Sequence, residues 1–158
     1  MKTNYLFPHK WKTISGILFL LSFIGLASVF VIDRETFEFK ARVFAIVGQN
    51  DILGENIFFS VIQDSITDEL LMFFLIPSGI IYAFSKEKQE DEMVASIRLH
   101  SLAWSTIINY AIILFCYMFV FGFPFLNIMM VALLSQLLIF IVIFRFKMYR
   151  FYTTQDEE

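Results

Sequence analysis

The sequence is short of the residues on which most chemistry depends. Its single cysteine, Cys116, lies in an apolar run, so an intramolecular disulfide is excluded and no redox compartment is indicated. Only two histidines occur, His9 and His100, and a bis-histidine haem would need both rings turned onto one metal. They fall instead at the edges of two different apolar spans. There is no Gly-rich phosphate loop, no H-E-x-x-H, no C-x-x-C and no G-x-S-x-G. The chain is therefore expected to be non-enzymatic, with no metal or other cofactor. A net charge of −3, without a basic patch, argues against a nucleic-acid partner. Charge is missing altogether between Leu102 and Phe144, and no Asp, Glu, Lys, Arg or His sits in the middle of any apolar span. Proton relays, pumps and voltage sensors need such groups.

What is present is apolar surface. The 158 residues are 58% hydrophobic with 21 phenylalanines, and the mean hydropathy is +0.71. Soluble domains run at about 45–50% apolar, and one this small could not bury the excess inside itself. A bilayer is the apolar phase that would take it. The expected fold class is thus an all-α membrane protein with four transmembrane helices and a small extracytoplasmic segment that includes a β-strand.

The first span is residues 13–32. It is charge-free, about 30 Å long as a helix, and too long for a signal-peptide core. Ser15, Ser22 and Gly25 can share one of its faces and admit a close neighbour. That serves ordinary bundle packing, with a dimer seam as the alternative. The second span, residues 66–84, contains Pro77 and Gly79, and Pro77 removes one helical hydrogen bond and marks a candidate hinge. The charge-free stretch from Leu102 would reach about 64 Å as one helix, twice the hydrocarbon thickness. It must turn back, and Gly122-Phe123-Pro124 is the breaker, giving spans at 102–122 and 125–144. Asn109, Asn127 and Gln136 are the polar amides inside these two spans, placed to hydrogen-bond across helices.

Orientation follows from Lys and Arg. Lys2, Lys10, Lys12, Lys86, Lys88, Arg98, Arg145, Lys147 and Arg150 fall on one side, against Arg34, Lys40 and Arg42 on the other. Both termini are expected in the cytoplasm. In the outer segment, residues 33–65, alternation from Phe37 to Val47 reads as a strand and Gly48-Gln49-Asn50-Asp51 as a turn. Asn56–Ser65 is ambiguous, with an amphipathic helix leading into span two as the favoured reading. The cytoplasmic connection is expected to be helical over residues 85–101, presenting Glu87, Glu90, Asp91, Glu92 and Arg98 as a partner-docking face. Glu92 and His100 alone do not make a specific metal signal.

The run Phe84-Ser85-Lys86-Glu87-Lys88, with Glu90-Asp91-Glu92, Arg98-Leu99, Ser101-Leu102, Trp104, Asn109-Tyr110 and later Phe125-Leu126-Asn127, resembles a family of small bacterial inner-membrane proteins. The resemblance covers roughly residues 70–148. Members of that family are often encoded beside a small helix-turn-helix regulator, which implies a membrane partner in signalling and a multi-pass place in the inner membrane. The leading expectation is an accessory or sensory membrane subunit. Its partners would be the lipid bilayer and another membrane or cytoplasmic protein, with a homo-oligomer left open. The alternatives are a small transporter or oligomeric channel lined by Pro77-Ser78-Gly79, Asn109, Asn127 and Gln136, or a structural subunit of a larger membrane assembly.

Overall fold

The computed structural model describes residues 6–31, 39–48 and 57–155. The elements run α1 (Lys10–Val31), β1 (Lys40–Gly48), β2 (Ile57–Ser65), α2 (Thr67–Ala83), α3 (Glu92–Phe119) and α4 (Phe123–Gln155). Among the described residues, three helices are long and apolar enough to cross a membrane: Lys10–Val29, Glu92–Phe119 and Ile128–Thr153. α2 has 17 residues, about 25 Å of helix, slightly less than a hydrocarbon core. It runs unbroken through Pro77.

Two compact units can be told apart, Met1–Gly16 with Gly79–Glu158, and Ile17–Ser78. In the first, α3 and α4 form an antiparallel hairpin. The turn is where glycine permits it: Val120 leaves the helix in an extended conformation and Gly122 takes φ +77°, a left-handed geometry that costs glycine little. Cross-helix pairs confirm the antiparallel register, with Asn109 opposite Ser135, Thr106 opposite Gln136 and Arg98 opposite Phe144. Ala83, Val94, Phe140, Phe144 and Met148 make the apolar core of this unit, and Phe84 stacks on Phe140 at 5.4 Å.

The distribution of side chains is inverted relative to a water-soluble helix pair. α3 buries Arg98, Ser101, Ser105 and Asn109, all on one stripe, while Leu114, Phe115, Tyr117 and Met118 are at least 60% exposed. α1 repeats the pattern, with Ser15 and Ser22 buried and Ile14, Ile17, Leu20 and Leu21 open. Polar groups are inside, where they find hydrogen bonds, and apolar groups are outside, which water would penalise. The small-residue face of α1 expected from Ser15, Ser22 and Gly25 is the buried one. Gly16 is also a packing notch: a Cβ there would lie 2.9 Å from the Tyr82 ring.

In the second unit β1 and β2 pair as an antiparallel hairpin, Lys40 opposite Ser65 through Gly48 opposite Ile57. Two further bonds tie its base: Ile66 N donates to Phe39 O at 3.1 Å and Phe39 N to Thr67 Oγ1 at 3.0 Å. The strand expected after residue 37 is present from Lys40. The helix expected over 56–65 is not: residues 57–65 form β2. Ile57, Phe58, Phe59, Val61 and Ile62 are β-branched or aromatic, and β1 alone would leave its edge unpaired, so pairing decides the conformation. The turn expected at 48–51 lies mostly outside the described residues. Phe59 sits at φ +50°, a strained conformation for a bulky side chain.

The cytoplasmic helix expected over 85–101 is also corrected. Residues 84–91 are not helical and α3 starts at Glu92. The reason is local: Asp91 is extended and its carboxylate accepts from Val94 N at 2.7 Å, an N-cap that begins the helix there. The third and fourth spans expected at 102–122 and 125–144 lie within α3 and α4, which are longer, except that α3 ends at Phe119.

Candidate functional site

The non-helical connection 84–91 is the best-built polar region among the described residues. It is first clipped to the segment preceding α1. Phe7 bridges to Ser85 in parallel, with Phe7 N donating to Phe84 O at 3.0 Å and Lys86 N to Phe7 O at 2.9 Å. His9 adds a third tie, its Nδ1–H donating to Lys86 O at 2.8 Å, since a carbonyl can only accept.

Charges complete the fastening. Glu87 is 9% exposed and its carboxylate is paired with the Lys12 ammonium, which is equally buried, while Arg145 Nη1 lies 3.7 Å from the same oxygen. The Arg145 guanidinium stacks over the Tyr82 ring at 4.7 Å. Three residues on, Glu90 takes Arg98 in a two-point grip, 2.6 Å from Nη1 and 3.1 Å from Nη2. Arg98 also reaches Ser85 O at 3.4 Å and lies over Phe144 at 5.2 Å. Glu87 N donates back to Glu90 Oε2 at 2.9 Å. Burial pushes the Glu90 carboxyl up, but the hydrogen bonds from Arg98 and from Glu87 N, with the nearby positive charges, outweigh it and hold Glu90 below the ordinary carboxylate range. Removing charges from water is costly, and these repay it only because each has a close partner.

The docking face expected from the sequence is therefore divided. Glu87, Glu90 and Arg98 are spent on fastening the connection to α3, α4 and α1. Asp91 is exposed but caps α3, and Glu92 is exposed. Facing outward with them are Lys86, Lys88, Gln89 and Met93. His100 is exposed and its Nδ1–H donates to Ser96 O at 3.0 Å. Among the described residues no three of His, Cys, Asp and Glu gather as a metal site.

The amides of the long apolar helices α3 and α4 form a second polar group. Ser135 Oγ donates to Asn109 Oδ1, and Gln136 Nε2 donates to Thr106 Oγ1 at 2.9 Å and Ser105 Oγ at 3.3 Å. Gln136 Oε1 and Arg98 Nε are buried without a partner. The bonds of Ser135 to Asn109 and of Gln136 to Thr106 and Ser105 lock α3 to α4. Asn127 lies in α4, Pro77 is exposed on α2, and Gly79 is buried. Ser78, between them, bonds back to Phe74 O at 2.6 Å and to Leu75 O.

Sequence reasoning counted Lys12 and Arg145 only as topology-setting charges. The available signal was position: each abuts the end of a long uncharged run, where a buried counter-ion is most needed. The Phe7–Ser85 bridge had no signal in either segment alone. No protein-family model, curated protein or solved structure matches this chain.

Proposed function

We propose that the chain is a non-enzymatic accessory or signalling subunit of a bacterial inner membrane. It crosses four times with both termini in the cytoplasm, and it docks a cytoplasmic partner protein on the outward side of the 84–92 connection. One observation carries the reading: a short non-helical segment is held by three backbone and ring hydrogen bonds and by ion pairs to three cations. Fixing a backbone costs about 1–2 kcal/mol per residue, so an ordinary connection between two helices would be left loose. Here the ordered segment presents Lys86, Lys88, Gln89, Glu92 and Met93 in one arrangement, which lowers the entropy cost of binding. The nine-to-three division of Lys and Arg supports the orientation. The resemblance of residues 70–148 to regulator-associated membrane proteins supports the signalling context.

The test is purification of tagged protein from its own membrane in mild detergent, beside the variant Lys88→Glu with Glu92→Lys. Both positions are exposed and outside the fastening, so insertion and fold persist. A stoichiometric partner present with the wild type and absent with the variant is the expected result. Equal recovery of that partner with both proteins would overturn the docking role.

A further inference from the structure

The Ile17–Ser78 unit contains a groove of about 400 Å³, lined chiefly by Gly25, Ser28 and Val29 of α1 and by Thr67, Leu70 and Leu71 in the first turns of α2. Its floor exists because residue 25 is glycine: a Cβ there would already meet Leu71 Cδ2 at 3.0 Å. The volume lies in the range of small-molecule sites, about 300–1,000 Å³. The lining offers a ligand almost nothing polar. Ser28 Oγ donates to Ile24 O at 2.8 Å, and Thr67 Oγ1 accepts from Phe39 N at 3.0 Å, so both hydroxyls are engaged within the protein. Water needs two to four polar partners to stay in such a place, and an apolar groove is filled by apolar matter instead.

The surroundings say which. On α1 the exposed neighbours are Leu20, Leu21 and Ile24, and on α2 they are Leu70, Phe73 and Phe74. In the four-span reading that surface meets hydrocarbon, and the groove opens into it beside the exposed Glu69, which falls between Thr67 and Leu70 of its lining. We infer that the groove holds one acyl chain of a bilayer phospholipid. The inference rests on the membrane reading. Asp68 and Glu69 open α2 beside the groove, which disfavours the lone carboxylate of a free fatty acid and favours the chain of a zwitterionic phospholipid, whose ammonium offsets its phosphate.

The experiment reconstitutes the full chain in nanodiscs with a phospholipid carrying a diazirine on its acyl chain, then maps photolabelled residues by mass spectrometry. Label is expected at Ser28–Val29 and Leu70–Leu71, and also on the exposed α3 residues Leu114 and Phe115. Ser28→Phe should cut the groove label roughly tenfold, the effect of losing about two buried methylene contacts, and leave the α3 label unchanged. Ser28→Leu, a milder filling, should cut it less, and Ile24→Phe on the open face should not cut it. Groove label unchanged by filling, with α3 labelled, would overturn the inference while sparing the membrane reading. No label on α3 either would overturn both. Displacement of the groove label by excess free fatty acid, but not by excess phospholipid, would overturn the assigned occupant.

Discussion

Arg98 and Glu90 should behave as one energetic unit. The Arg98 side chain is 4% exposed and that of Glu90 17%, so each relies on the other more than on solvent. Removing one member of a buried pair costs about 3–5 kcal/mol, because the survivor is left charged and unpaired. Partial exposure of Glu90 screens the interaction, which brings Glu90→Gln to about 2–3 kcal/mol. Arg98→Met leaves a carboxylate that can turn to water, and should cost about 2 kcal/mol. Replacing both removes the unpaired charge, so the double variant should also cost about 2 kcal/mol, giving a coupling of about 2–3 kcal/mol. Unfolding in mixed micelles with rising dodecyl sulfate, followed by fluorescence of Trp11 and Trp104, measures all four proteins. Two single variants that each cost less than about 0.5 kcal/mol and simply add would show that Arg98 and Glu90 are not coupled.

Other outcomes follow from the same geometry. Glu90 is held below its ordinary value of 4.5, so its stabilising contribution is complete above that pH and is lost as pH falls through the folded value. Acidification from about pH 5 to 3 should therefore destabilise the wild type more than Glu90→Gln, in the same micelle titration. Gly16→Ala places a Cβ 2.9 Å from a Tyr82 ring that Arg145 covers, and should cost about 1–3 kcal/mol by overpacking. Gln136→Leu should stay within about 1 kcal/mol of wild type, because it loses the bond to Thr106 but also removes the unpartnered Oε1. Lys88→Cys in a Cys116→Ser background should react with an impermeant maleimide only in inside-out vesicles, as the proposed orientation requires.

The helices were legible in the sequence because their physics is one-dimensional. A charge-free run from Leu102 to Phe144 has to fold back somewhere, and Gly122 is where the backbone can do so. Cross-helix bonding of Asn109 and Gln136 follows from the same reasoning, since an amide in an apolar span seeks a neighbour, although the sequence does not name Ser135 and Thr106 as those neighbours. Partner-dependent features were not legible. Residues 57–65 are apolar without a clean period, and only the presence of β1 makes them a strand. Residues 84–91 carry the charge pattern of a solvated helix, yet Lys12 and Arg145 draw Glu87 inward and Arg98 does the same to Glu90. Lys12 and Arg145 lie far from Glu87 in the chain, and Arg98, eight residues from Glu90, lies beyond the i+4 reach of a helix, so no local pattern could make these pairings. The outward remainder, Lys86, Lys88, Gln89 and Glu92, is defined only once the inward set is known.

In the proposed role, this outward face of the 84–92 connection meets a partner. A photocrosslinking amino acid placed at Gln89 in living cells tests it most directly, with the same group at Ile107 on the open side of α3 as the comparison. One discrete adduct to a different protein is expected from position 89 and none from position 107. Adducts from both positions, or from position 89 only to a second copy of the chain, would contradict it.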